Sequence, residues 1–184
     1  RGLEFNKWSY LTRAHYAALP FTRMIAGHAD FTPCTFNPEK IKGTTFTHQL
    51  ATAVIYNSPV LHFADKPQRY FDSPAIEIIK KIPATWDRTI VLDGSRIGSL
   101  AAFARKKDNQ WFIAVITAGK QNKNYKLKLP FLEPGKYKAV IATDVINSPA
   151  AINVQAKTID RSTTLDIKTN PGGGFVAYLK KIEN

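Results

Sequence analysis

Two patterns of apolar and polar positions divide the chain near residue 84. Before that point apolar residues recur at helical spacing. Thr44–Asn57 reads TTFTHQLATAVIYN, with Phe46, Leu50, Ala53, Val54 and Tyr56 along one buried side. Thr44 or Thr45 can cap this helix, and Ser58-Pro59 ends it, because proline disfavours helical geometry in the residue before it. A second helix is predicted from about Ser73 to Ile82. Ser73 supplies the N-cap, Pro74 the first helical position, Glu77 an acid in the first turn, and Pro83 the stop. Leu19-Pro20-Phe21 and Thr32-Pro33 interrupt what precedes.

After Trp86 the period falls to two and turn residues bound each run, as strands require. Strands are predicted at 88–92, 100–106, 110–118, 125–129, 136–144, 152–159, 163–169 and 175–181. The second and third form a hairpin across Lys107-Asp108-Asn109. So many short strands within about 100 residues predict an antiparallel sandwich. Tyr125 to Leu129 alternates Tyr, Lys, Leu, Lys, Leu, so these strands are read with one face buried and one wet. Trp86 and Trp111 read as core of this half. Pro171-Gly172-Gly173-Gly174 is followed by a strand rather than a helix. It is therefore a tight entry into the last strand and not a phosphate loop.

Composition narrows the function classes. At 184 residues the chain is too short for a complete (β/α)₈ barrel, which takes about 250. With 44% apolar and 22% charged residues it is not a disordered chain. No apolar run approaches the ~20 residues that cross a bilayer. The formal charge is +12, but the lysines are scattered along strand edges and loops without a dense basic run or arginine-rich arm. That argues for solvated lysines and against a nucleic-acid surface, whose binding would weaken steeply with salt. Cys34 stands alone, which excludes an intrachain disulfide and a multi-cysteine zinc site. His15, His28, His48 and His62 never fall four apart around a glutamate. The second half holds no histidine, and its carboxylates sit mostly at turns, so it carries no catalytic pattern. A stand-alone β-sandwich that binds carbohydrate, or packs against a neighbour, is the alternative to an enzyme. It requires exposed aromatics, for which Tyr125 and Tyr137 are the candidates.

Five segments carry a resemblance. They are Arg1-Gly2-Leu3-Glu4-Phe5-Asn6; Leu19-Pro20-Phe21-Thr22-Arg23-Met24-Ile25-Ala26-Gly27 with Asp30-Phe31-Thr32-Pro33; Gln49-Leu50-Ala51 with Tyr56-Asn57-Ser58-Pro59-Val60 and Ala64-Asp65; Ile82-Pro83, Thr85-Trp86-Asp87 and Val91-Leu92-Asp93-Gly94; and Pro171-Gly172-Gly173-Gly174-Phe175. In this order they resemble glycoside hydrolase family 97, whose members are bacterial α-glucosidases and α-galactosidases. His28 stands where the family usually has proline and Cys34 where it usually has glycine, so the loop after Gly27 is expected to differ locally.

The resemblance implies an architecture. Residues 1–84 would be the last portion of a (β/α)₈ catalytic barrel and residues 85–184 a C-terminal antiparallel β-sandwich domain. The sequence, which opens on Arg1, is then expected to continue upstream. It implies an exo-acting enzyme that hydrolyses terminal α-linked glucose or galactose. Such chemistry uses two carboxyl groups, one protonating the leaving oxygen. By matching position, Glu4 would be the general acid, or acid/base in retaining members. Arg23, Asp30 and His15 are second-rank substrate-binding candidates, with Asp30 able to pair with Arg23; Trp8 and Tyr10 could stack on sugar or pack between domains. The partner carboxylate and most ligands of the family's calcium would lie upstream. An oligosaccharide substrate, export to the periplasm or beyond in a bacterium, an inactive chain on its own, and residues 1–84 that are poorly ordered or self-associate unless the upstream part is present follow as expectations.

Overall fold

The computed structural model describes residues 11–182. Its framework is eight strands: β1 (Arg88–Val91), β2 (Leu100–Lys107), β3 (Gln110–Thr117), β4 (Lys123–Lys128), β5 (Tyr137–Val145), β6 (Ser148–Ile159), β7 (Thr164–Thr169) and β8 (Gly174–Lys181). Six of them form an antiparallel sheet in the order β1-β2-β3-β8-β5-β6, and β4 pairs with β7 in a second sheet. The predicted hairpin is present: β2 and β3 pair from Leu100↔Thr117 to Lys107↔Gln110, with Asp108 turning the chain at φ 52°. The antiparallel sandwich anticipated from alternation is thus found, with the strands near their predicted places except β6, which begins four residues earlier at Ser148.

The strands differ in what covers them. β4 and β7 alternate buried and exposed residues, as read. Leu127, Leu165 and Ile167 cover one face of the large sheet, against Ile113, Val115, Ile141, Phe175 and Leu179. β3 and β8, by contrast, are buried on both faces. The one wet face read for the alternating Leu/Lys strands does not extend to the sheet centre. Continuous apolar runs such as Trp111–Ile116 mark strands covered from both sides.

The second cover comes from residues before 84. Helix α1 (Arg13–Ala18) leads into a 3₁₀ turn (Leu19–Phe21). Helix α2 (Phe46–Ile55) follows, then the short α3 (Pro67–Phe71) and α4 (Ile76–Ile79). Helix α2 lies within the predicted 44–57 span, capped by the Thr45 hydroxyl, which accepts from the His48 amide at 3.0 Å. The predicted helix at 73–82 is only one turn, α4. The Ser73 hydroxyl accepts from the Ala75 amide, which closes a local turn instead of capping a long helix. Leu50, Ala53, Val54 and Tyr56 pack with Phe103, Phe112, Ala114, Ile116, Val176 and Tyr178 in one cluster. A fully buried leucine such as Leu50 contributes roughly 1.5–3 kcal/mol.

The layers therefore run helices, six-stranded sheet, two-stranded sheet. The core under the helical layer is shared by residues from both sides of position 84. Residues 11–84 thus have a buried surface to pack against within this chain. Among the described residues, 11–84 carry helices and turns and no strand, so the barrel strand read around Glu4 lies outside the described residues.

Candidate functional site

Helix α2 is held at both ends by polar side chains that the sheet supplies. At its start, Asp144 at the end of β5 is buried. Its Oδ1 accepts from the Thr45 hydroxyl at 2.7 Å, and its Oδ2 from the amides of Asn170 (2.8 Å) and Gly174 (3.2 Å). Burial raises its pKa above the usual carboxylate value, against the opposing pull of Thr45, Asn170, Gly174 and Thr47. At the other end, Arg105 of β2 donates to the Ile55 carbonyl at 2.6 Å and to the Asn57 side-chain oxygen at 3.1 Å. Its guanidinium lies 5.7 Å from the Trp86 ring centre and 5.6 Å from that of Phe103. Burial lowers its pKa to about 10, and the arginine remains charged at neutral pH. A carboxyl group thus faces the positive end of the helix dipole and a cation the negative end.

The glycine run completes this contact. A Cβ on Gly174 would lie 2.5 Å from the His48 amide nitrogen, and one on Gly173 would collide with the Asp144 carboxylate. The glycines do enter the last strand, as read, but close backbone approach to α2 is what excludes a side chain at 173 and 174. His48, fully buried beside them, stacks edge-on against Tyr16 with ring centres 5.1 Å apart. Neither of its ring nitrogens meets hydrogen-bond geometry. Burial lowers its pKa to about 4 despite the nearby Gly173 and Gly172 backbone, so the ring is neutral.

A second staple holds the loop after Gly27. The Asp65 Oδ2 accepts from the Phe36 amide (2.9 Å) and the Thr35 hydroxyl (3.1 Å), and Arg69 reaches its Oδ1 at 3.3 Å. The Tyr70 hydroxyl accepts from the Asp65 amide and donates to the Cys34 carbonyl at 2.9 Å. Cys34 adopts φ 67°, a left-handed conformation that favours glycine, the residue the family usually has there. Burial raises its thiol pKa well above the ordinary value, with Asp65 adding to the effect; the thiol is a packing group.

The residues singled out from sequence distribute as follows. Glu4, Trp8 and Tyr10 lie outside the described residues. His15 is exposed on α1, where its amide donates to the capping Thr12 hydroxyl. Arg23 and Asp30 are exposed in the loop that follows the 3₁₀ turn, and the Arg23 guanidinium donates to the His28 carbonyl at 3.2 Å. Trp111 is buried, as read, while Trp86 is half-buried over Phe112 and Arg105. The aromatics required by the carbohydrate-binding alternative are both engaged: Tyr137 is buried in the core, and the Tyr125 hydroxyl donates to the Asp93 carbonyl. Sequence reasoning missed Asp144 and Arg105. The available signal was an acid and a base each ending or interrupting an otherwise apolar strand run.

The described residues do not by themselves build a hydrolytic site. An open cavity of about 570 Å³ between Arg13, Ile41–Thr44, Asn147 and Pro171 has Glu39 as its one carboxylate. Glycoside hydrolysis needs two. No group of three or more His, Cys, Asp or Glu among the described residues could hold a metal. The resemblance places most of the calcium ligands upstream of these residues, and no step is derived through the ion.

The family model described as "Glycosyl-hydrolase 97 C-terminal, oligomerisation" matches residues 85–180. A retaining α-galactosidase of Bacteroides thetaiotaomicron is 30% identical, over 97% of this chain and 30% of its own length. A probable retaining α-galactosidase of Streptomyces bingchenggensis is 31% identical, over 90% of this chain and 26% of its own length. A glycoside hydrolase family 97 enzyme from Pseudoalteromonas sp. strain K8, solved with panose, superposes with a TM-score of 0.90 at 30% identity. That match covers 100% of this chain and 31% of the enzyme. A glycoside hydrolase family 97 enzyme from the same strain, solved with acarbose, gives 0.89 at 31% identity, with the same coverage. The sequence and fold match the C-terminal portion of glycoside hydrolases. The chain belongs to glycoside hydrolase family 97, of which it is a C-terminal portion, and it spans less than a third of the length of the relatives it matches.

Proposed function

We propose that this chain is the C-terminal part of an exo-acting α-glycosidase of the retaining kind, which removes terminal α-linked galactose or glucose from an oligosaccharide. The observation that carries the reading is the agreement of the whole chain, helical layer included, with the corresponding third of a family 97 enzyme. On this reading residues 1–84 are the end of the catalytic barrel, and residues 85–184 are the β-domain that backs it. Asp144 and Arg105 lock α2 onto that domain and so fix the segment that follows Glu4.

Glu4 is the acid/base. It gives its proton to the leaving glycosidic oxygen and takes one from the water that releases the sugar, while a carboxylate upstream of this chain attacks the anomeric carbon. Arg23, Asp30 and His15 lie on the substrate side and hold sugar hydroxyls. The remaining N-terminal part of the polypeptide supplies the nucleophile and the carboxylates that bind calcium, which stabilises the site. The chain alone is inactive, because one carboxyl group cannot perform both roles. The intact enzyme is exported, as suits an oligosaccharide substrate.

The test uses the chain joined to its upstream part. Hydrolysis of aryl α-galactoside and α-glucoside is measured for that protein and for its Glu4→Gln variant. A kcat loss of about 10²–10⁴ supports the role of Glu4, and the faster of the two glycosides names the sugar. Unchanged turnover in Glu4→Gln refutes the assignment.

A further inference from the structure

The four outer strand edges of the β-domain are protected very unequally. An open edge presents unpaired amides and carbonyls, and proteins blunt such edges with shortness, lysines or proline. In the large sheet, β1 is four residues long and opens on Arg88. In the small sheet, β4 carries Lys123, Lys126 and Lys128, and β7 carries Asp166 and Lys168. The fourth edge is β6, the longest strand, at 12 residues. Among the described residues no strand pairs with its outer side. Pro149 stands near one end and Lys157 near the other, Arg69 and Asp72 line a cavity beside Ala150–Ile152, and between Asp144 and Lys157 the strand itself has no charged residue.

In a chain of net charge +12, two copies repel across most faces, and an uncharged edge is where they can approach. The strand is rigidly presented: Ile152 and Val154 pack into the core under the helical layer, while Asn153 faces solvent. The family description names oligomerisation for this domain without saying which surface serves it.

We propose that β6 is that surface: it pairs antiparallel with β6 of a second copy, joining the two six-stranded sheets into one. A two-fold axis perpendicular to the sheet and centred on Asn153 sets Ile152 of one copy beside Val154 of the other, and Ala151 beside Gln155. Both helical layers then lie on the same side. The two Lys157 residues fall at opposite ends of the pair, each opposite Pro149, so no like charges meet. The inference is independent of the enzymatic reading, since it concerns only the edge and its self-complementarity.

The test is self-association of the full chain, followed by light scattering and sedimentation together with amide hydrogen exchange. The wild type is expected to double its mass from 20.6 kDa and to protect those amides of Ala150–Ala156 that point away from β5 as it does so. Asn153→Lys sets two lysines directly opposite each other across the axis at a solvent-facing position and should weaken association about fivefold. Val91→Lys, on the opposite edge, should leave it unchanged, and circular dichroism verifies that both variants fold. A monomeric wild type, undiminished association in a folded Asn153→Lys, or protection arising at β1 instead of β6 overturns the proposal.

Discussion

Removing the Asp144 carboxylate probes the contact between α2 and the sheet at its most concentrated point. Asp144→Ala leaves the Asn170 and Gly174 amides and the Thr45 hydroxyl without their acceptor in a site closed to water. Each buried donor stranded in this way costs about 1–3 kcal/mol, though a hydroxyl can turn to another partner. The two amides cannot, so the loss should be about 3–5 kcal/mol, a large part of the 5–15 kcal/mol that holds a typical domain together. Asp144→Asn separates charge from acceptor. Its carbonyl can take the place of Oδ2 before the two amides, and its NH₂ can donate to the Thr45 hydroxyl. Its cost should be only about 1–2 kcal/mol, because it also spares the burial of a charge. Urea unfolding at pH 7 reads both values, provided the slope with denaturant is unchanged. If Asp144→Ala costs under 1 kcal/mol, or no more than Asp144→Asn, the carboxylate does not anchor the helix and the reasoning fails.

Two further outcomes follow from the same contact. Gly174→Ala should cost about 3 kcal/mol, because the new methyl meets the backbone of His48, whereas Gly119→Ala, which meets only the flexible end of Lys123, should stay within about 0.5 kcal/mol; thermal melts compare them. His48 titrates at about 4 in the fold against an ordinary 6.5, so the unfolded chain takes up the proton first as pH falls. Its contribution is complete above pH 6.5 and should fall by about 3 kcal/mol on reaching pH 4, at 1.36 kcal/mol per unit. Asp144, its pKa raised, acts in the opposite sense, losing stability as pH rises through its range. The difference between wild type and His48→Leu isolates the histidine: a pH-independent difference would show that the ring is not held neutral.

The strands of the β-domain were legible because their signal is local. Period-two runs bounded by Pro134-Gly135, Asp108-Asn109 and Pro171-Gly172 announce themselves without reference to anything distant. Helix α2 was legible for the same reason, and its caps agree with the structure to within two residues. What covers each strand is not local. Trp111–Ile116 carries the mark of a strand buried on both sides, but the sequence does not say that residues 46–55 supply the second cover. Asp144 and Arg105 escaped notice because they matter through partners 99 and 50 residues away. Ser73–Ile82 misled through good cap chemistry, since a serine, a proline and spaced isoleucines suit a single turn as well as three. Of the candidate site, Glu4 rests on resemblance, because a lone glutamate among apolar neighbours has no periodic signature.

The central structural claim is that the helical layer and the β-domain fold as one body across residue 84. Native-state hydrogen exchange of the whole chain tests it directly, by comparing the Leu50–Val54 amides of α2 with those of Ile113–Ile116 in β3 and Val176–Tyr178 in β8. Shared cooperativity predicts that all three segments exchange through one global opening, with equal free energies and equal denaturant dependence. Helix amides that open several kcal/mol more easily than the strands, with a shallow denaturant slope of their own, would contradict it.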